Sequence, residues 1–283
     1  RPVVPPAPLP VPRALTLHWA ADVASHQVFK YINPIMLYGK HLGLKSVDRS
    51  FAEGEPKAVE LKSKVEALQA QAASKGIIKP RGVYQFFAAH SDGESIILYE
   101  NATGRKVVET FAFPRQAGGE RLCIADWVAP KSSGKMDYVA LFAVTCGHGV
   151  AALSDKWRAA GDYFKSHALQ ALAIESAEGF AELLHERLRA SWGIADAPSL
   201  TMREKFQAKY QGLRVSFGYP ACPNIEDQRK LFALIDPAKN AGISLTEGFM
   251  MEPEASVSAL VFHHPAARYF AAGTQEATAV SGQ

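Results

Sequence analysis

A series of short apolar runs, Gly82–Ala88, Ser95–Tyr99, Val107–Phe113, Leu122–Val128 and Tyr138–Val144, restricts the fold of this chain more than any other feature. Turn-forming residues divide them, as in Ser91-Asp92-Gly93 and Asn101-Ala102-Thr103-Gly104. Runs of this length, punctuated in this way, read as strands. A parallel pair needs a crossover of about a dozen residues or more, which such short connections do not supply, so the pattern predicts antiparallel pairing. Helical periodicity brackets the strands. Over Pro56–Lys75, Leu61, Val65, Leu68 and Ala72 fall on one stripe, and Gly76 follows as a stop. Val150–Trp192 reads as helix almost without pause, kinked near Gly161, and Gly193 ends it. Shorter helices are expected over Leu200–Tyr210 and Ile225–Ile235, with Asn224 as cap of the second, and a strand over Ala255–Phe262. Strands and helices segregated in this way specify an α+β fold, an antiparallel sheet with helices packed around it.

The domain division is 1–16 as a linker, 17–273 as one domain and 274–283 as a small, polar, disordered tail. Prolines at 2, 5, 6, 8, 10 and 12 make the first segment an extended spacer, the expected connection to a preceding part of a longer polypeptide. The composition is that of a soluble globular protein. Lys and Arg number 31 against 28 Asp and Glu, a net +3 with no basic block, which argues against nucleic acid as a partner. The longest apolar runs fall far short of a membrane span. Cys123, Cys146 and Cys222 form no Cys-x-x-Cys pair, so neither a disulfide framework nor a structural zinc site is expected, and a reducing cytoplasm fits.

Several residues could carry chemistry. Arg214 opens a stretch, through Gly218-Tyr219-Pro220-Ala221-Cys222-Pro223, in which the prolines forbid helix and Gly218 allows positive φ or close backbone approach to a ligand. Arginine beside so stiff a turn suits bidentate capture of a carboxylate or phosphate; the plainer alternative is a solvated surface arginine. Asn33-Pro34 is a helix start, with Asn33 as cap. Glu178, Glu182 and His185 share one helical face, but a single Glu-x-x-His does not make a di-metal site, and no metal is expected. Adjacent His263 and His264 would point to opposite faces of a strand. Cys222 reads as packing rather than as a nucleophile. Thr145-Cys146-Gly147-His148-Gly149 between a strand and a helix offers a weak phosphate-cradle signal, lacking the third glycine.

Arg214-x-x-x-Gly218-Tyr219-Pro220-Ala221-Cys222-Pro223 resembles the signature of the S-adenosylmethionine-binding activation domain of cobalamin-dependent methionine synthase. Further segments match in the same order: Arg81-Gly82-Val83-Tyr84, Asp126-Trp127-Val128-Ala129-Pro130, Phe180 to Arg187, Leu245-Thr246-Glu247, Ala255-Ser256-Val257-Ser258 and His264 to Phe270. The similarity runs from about residue 27 to about residue 273. It implies a C-shaped single domain with a twisted antiparallel sheet, and a methyltransferase role: reactivating methionine synthase by giving the methyl of S-adenosylmethionine to cobalt. On the same basis Arg214 takes the ligand carboxylate and Glu178 faces its positive end. Asn33 stands by the ribose where the family usually has Asp, and Ala267, Tyr269 and Phe270 follow the adenosyl portion. Gly218 shapes the turn, and Tyr219 approaches the upper face of the corrin. Ala208 replaces a residue that is usually acidic. No Asp-x-His-x-x-Gly is present, so cobalamin would be held by a neighbouring cobalamin-binding domain, with a flavodoxin- or ferredoxin-type electron donor as a further partner. Two other classes remain open at this point: a Rossmann-type methyltransferase using Gly147-His148-Gly149, and a non-catalytic docking module.

Overall fold

The computed structural model describes residues 9–20 and 22–272. Its strands are β1 (His18–Trp19), β2 (Arg81–Asp92), β3 (Ser95–Tyr99), β4 (Val107–Ala112), β5 (Asp137–Thr145), β6 (Leu213–Val215), β7 (Ser244–Leu245), β8 (Met251–Glu252) and β9 (Ser256–Phe262). The α-helices are α1 (Ser25–Phe29), α2 (Val47–Ala52), α3 (Pro56–Ser74), α4 (Val150–Ala159), α5 (Tyr163–Ser191), α6 (Met202–Phe206), α7 (Gln228–Ile235) and α8 (Pro237–Ala241). One sheet runs in the order β4-β3-β2-β5-β9-β6, with β1 laid beside β2; β7 and β8 form a separate ribbon. Every pair in both sheets is antiparallel.

Strand alternation splits the core in two. Ala140, Phe142 and Val144 of β5 face a layer built from α3 and α5, where Leu61, Val65 and Leu68 of α3 are buried as the helical stripe requires. Val139, Leu141 and Ala143 face the opposite layer, with Trp127, Leu231 and Ile235. Helices and turns therefore cover both sides of the sheet. All of β5 is buried, which is why Tyr138–Val144 reads as a continuous apolar run rather than as an alternating one.

Two expectations require correction. Residues 122–128 are not a strand. Ile124–Trp127 is a 3₁₀ turn, in which the Asp126 carboxylate accepts from the Cys123 amide at 2.9 Å and from Arg115 at 2.7 and 3.0 Å. Its apolar side chains fill the second core without joining the ladder. The long helix is not kinked at Gly161 but broken there: with φ +86 the chain reverses, and α4 folds back on α5 through a 2.8 Å Ser154–Ser166 hydroxyl contact. Between His263 and Ala272 the chain turns at Pro265-Ala266 and forms no further strand.

Half of the linker expectation falls on residues 1–8, and the whole tail expectation on 274–283, both outside the described residues. Residues 9–16 lie against the body of the fold. Trp192 Nε1 donates to the Pro10 carbonyl at 2.9 Å, and Gln85 Nε2 donates to that of Leu15 at 3.0 Å.

Candidate functional site

Two close backbone approaches bring the site together. On β6, Leu213 and Val215 turn into the second core, so Arg214 between them points the other way, towards α5. Gly212, at φ +93, makes this pairing possible, because a Cβ there would lie 2.4 Å from the Phe262 carbonyl oxygen. On α5, Gly179 lets the segment leaving α1 cross the helix: an added Cβ would meet the Val28 and Tyr31 backbone at 3.1 Å. That crossing delivers Asn33 and the π-helix Ile35–His41 to the face of α5 that carries Glu178 and Glu182.

The result is a pair of adjoining pockets, of about 330 and 250 Å³, that share Glu178, Glu182, Phe206, Arg214 and Tyr219. The first extends past Asn33, Lys40 and His41, the second past Lys205, Ala208, Tyr210 and Tyr269. Of the residues singled out in the sequence, Asn33, Glu178, Arg214, Tyr219 and Tyr269 therefore come to one place. Gly218, Ala267 and Phe270 line neither pocket. Gly218, at φ +84, donates its amide to the Cys222 carbonyl at 2.8 Å and closes the turn that holds Tyr219. Ala267 and Phe270 pack against the second core.

Arg214 is not a solvated surface cation. Its Nη1 donates to Glu182 Oε2 at 2.7 Å, to the Tyr210 hydroxyl at 3.2 Å and to His185 Nδ1 at 3.4 Å. Burial pulls its pKa down, but Glu182, Tyr210 and Glu178 outweigh this, so the guanidinium stays charged. The arginine side chain lines both pockets and stays 22% exposed. The Glu182–His185 pair thus cradles an arginine instead of a metal.

Burial and two cations, Arg189 and Arg214, press the His185 pKa well below its usual 6.5, leaving a neutral ring that can accept. The Arg189 guanidinium lies 3.7 Å from the Tyr210 ring centre and is itself fixed by Asp196 at 2.6 Å, so the floor beneath Arg214 is rigid.

Glu178 stands at the mouth of the pockets. Burial raises its carboxyl pKa, Arg214 and Lys40 work in the opposite direction, and the neighbouring Glu182 adds to the rise. Asn33 Oδ1 accepts from the Ile35 amide at 3.0 Å, as a cap does, while the side chain also lines the first pocket. Tyr219 and Tyr269 are 53% and 52% exposed and form the lip. Burial pushes the Cys222 thiol up to about 12, which suits packing and not nucleophilic attack.

Sequence reasoning missed His41 and Glu175, which pair at 2.8 Å beside the first pocket across a separation of 134 residues. No local spacing signals such a pair. It also missed Glu182 as the anchor of Arg214, having weighed it only as a metal ligand. His148, in the Gly-x-Gly turn, donates to the Ala241 carbonyl at 2.9 Å. The strand before that turn is antiparallel to both its neighbours, β2 and β9, so the Rossmann alternative has no parallel βαβ unit to stand on. Among the described residues no group of His, Cys, Asp or Glu could hold a metal ion.

Comparison with known proteins gives three likenesses. The family model described as vitamin B12 dependent methionine synthase, activation domain, matches residues 30–281. Methionine synthase of Mycobacterium tuberculosis is 33% identical over 199 residues, which is 66% of this chain and 17% of that protein. The chain thus spans about a sixth of that relative's length. The crystal structure of the MetH reactivation domain bound to AdoHcy agrees with a TM-score of 0.87 at 34% identity, over 93% of this chain and 83% of that one.

Proposed function

We propose, from the premise that this chain belongs to the vitamin B12 dependent methionine synthase activation-domain family, that it binds S-adenosylmethionine in the Arg214 pockets and presents the methyl group to cobalt. In this reading the acceptor is a cobalamin held by a neighbouring domain. A flavodoxin- or ferredoxin-type donor first reduces inactive cob(II)alamin by one electron; the methyl then leaves the sulfonium for the reduced cobalt, and S-adenosylhomocysteine remains.

The observation that carries this reading is Arg214, a charged guanidinium fixed through Nη1 on a side chain that lines both pockets, so that its other edge can serve a ligand. The open edge matches the ligand carboxylate. Glu178 complements the sulfonium, the Asn33 side chain is within the same cavity for the ribose diol, and Tyr269 offers a face for the adenosyl group. Tyr219, half exposed on the lip, would meet the corrin. A methyl sulfonium is already an activated donor, so the chain needs no nucleophile or general base. Its contribution is aim, and the rate comes from positioning. Gly218, Ala267 and Phe270 act in this scheme through backbone shape behind the lip.

Titration calorimetry with S-adenosylmethionine, on the chain and on Arg214→Ala, tests the reading. A charge-assisted hydrogen bond is worth roughly 1.5–3 kcal/mol, so the variant should bind at least about tenfold more weakly. No heat at millimolar ligand would leave a docking module as the better account. Undiminished binding by the variant would place the ligand elsewhere.

A further inference from the structure

We infer that Glu182 is a positioning residue that sets the selectivity of the site for ligands retaining an amino-acid carboxylate; this rests on the reading of Arg214 given above. All three contacts made by the Arg214 guanidinium run through Nη1, and the only full charge among those partners is Glu182 Oε2, at 2.7 Å. Arg214 sits on the last strand of the sheet, whereas Glu182 sits in the middle of α5, so this contact ties the ligand-facing cation to the helical layer. The Glu182 side chain is only 6% exposed, and its Oε1 is buried without a partner. A carboxylate so short of hydrogen bonds is poorly stabilised by anything except the guanidinium it faces, and the pair is held together by that mutual need.

The geometry assigns each edge of the guanidinium a task. Glu182 occupies Nη1, and on a side chain that lines both pockets this leaves the Nε–Nη2 edge as the fork a carboxylate would take. Removing Glu182 leaves the arginine only its two uncharged partners, His185 and Tyr210, and frees it to turn towards Glu178, so the fork is lost even though the cation remains. An adenosyl ligand without the amino-acid end never uses the fork and is indifferent to the change.

The test compares S-adenosylhomocysteine with 5′-methylthioadenosine, which keeps the adenosyl thioether and lacks the amino-acid end. Both are titrated calorimetrically into the whole chain and into Glu182→Ala and Glu182→Gln. Loss of an oriented bidentate contact should weaken S-adenosylhomocysteine roughly tenfold or more in Glu182→Ala while methylthioadenosine changes by less than about twofold. Glu182→Gln keeps an oxygen for Nη1 and should lie between. It also serves if the alanine variant, which strands a buried cation, fails to fold. Equal weakening of both ligands would reveal a merely structural role and overturn the inference. So would unchanged affinities, or a glutamine variant as selective as the parent chain when it alone folds. If the unaltered chain bound neither ligand, the underlying reading itself would fall, an outcome plainly distinct from the others.

Discussion

A guanidinium aims at a ligand only when something holds its far edge, and Arg214 is held by an anion, a phenol and a neutral imidazole. The imidazole has a measurable consequence. The His185 pKa is depressed in the folded chain, so below its ordinary value of 6.5 the unfolded state takes up the proton and the folded state does not. Stability is therefore unaffected by this group above that pH and falls as pH drops from there towards the depressed value. Urea denaturation between neutral and mildly acidic pH should show this loss, at most about 1.4 kcal/mol per pH unit, and His185→Gln should flatten it. An unchanged slope in the variant would assign the loss to other groups.

Glu178, whose pKa is shifted the other way, predicts a loss of binding in acid. Its pKa is raised, mainly by burial, above the ordinary 4.5, and a cationic sulfonium beside it favours the ionised form. Binding of S-adenosylmethionine must therefore expel a proton once the pH falls into that raised range, and affinity should decline there. The neutral thioether S-adenosylhomocysteine should show a shallower decline, and Glu178→Gln should remove the difference. Parallel pH profiles for both ligands in the unaltered chain would refute the assignment.

At the scale of elements, the fold was legible where local rules decide it. The stripe Leu61-Val65-Leu68-Ala72 with its Gly76 stop gives α3, and the turn residues between apolar runs give the bounds of β3 and, but for Phe113, of β4, whereas β2 runs on past Ala88 to Asp92 through residues that read as a turn. Residues 122–128 misled because a 3₁₀ turn buried under a sheet is as apolar as a strand. What distinguishes it is the Arg115–Asp126 contact, set by tertiary structure. The family-like motif pointed to Arg214, whose side-chain type suits an anion, whereas Glu178 drew its expected role from the resemblance alone. The roles of Glu182, Glu175 and His41 could not be read in either way, since their partners lie 32 and 134 residues away in sequence. Gly179 shows how an element can serve a site it does not touch. Replacing it by alanine would press a methyl to 3.1 Å from the Val28 and Tyr31 backbone, atoms that cannot swing aside. The gain in helix propensity, about 1 kcal/mol, opposes an overpacking penalty of roughly 1–3 kcal/mol. Gly179→Ala should therefore melt somewhat earlier and, by moving Asn33 away from α5, bind S-adenosylmethionine more weakly. Calorimetry with a thermal melt would check both, and an unchanged affinity would show that the crossing is not needed by the site.

On the scale of the whole molecule, the sheet is covered on both faces, and its boundary reaches further towards the N-terminus than residue 17. Trp192 is 2% exposed and gives its indole proton to the Pro10 carbonyl. Removing residues 1–16 would leave that donor buried and unpaired, at about 1–3 kcal/mol, and would cost the Gln85–Leu15 bond as well. The truncated chain should melt several degrees lower, at roughly 2–4 °C per kcal/mol for a chain of this size. An identical melting temperature would restore the whole segment to the status of a spacer.

The walls of the two pockets come from residues 31 to 41, 174 to 182, 205 to 219 and 257 to 269, that is, from nearly the full span of the chain. No fragment contains the cavity, and it does not exist until the last strand has docked on the first helices. An occupant would thus act as a clasp on the entire polypeptide, adding about 2.7 kcal/mol of protection at a hundredfold excess over its dissociation constant. Supply of the methyl donor in a cell would then govern how long this protein survives proteolysis as well as how often it works.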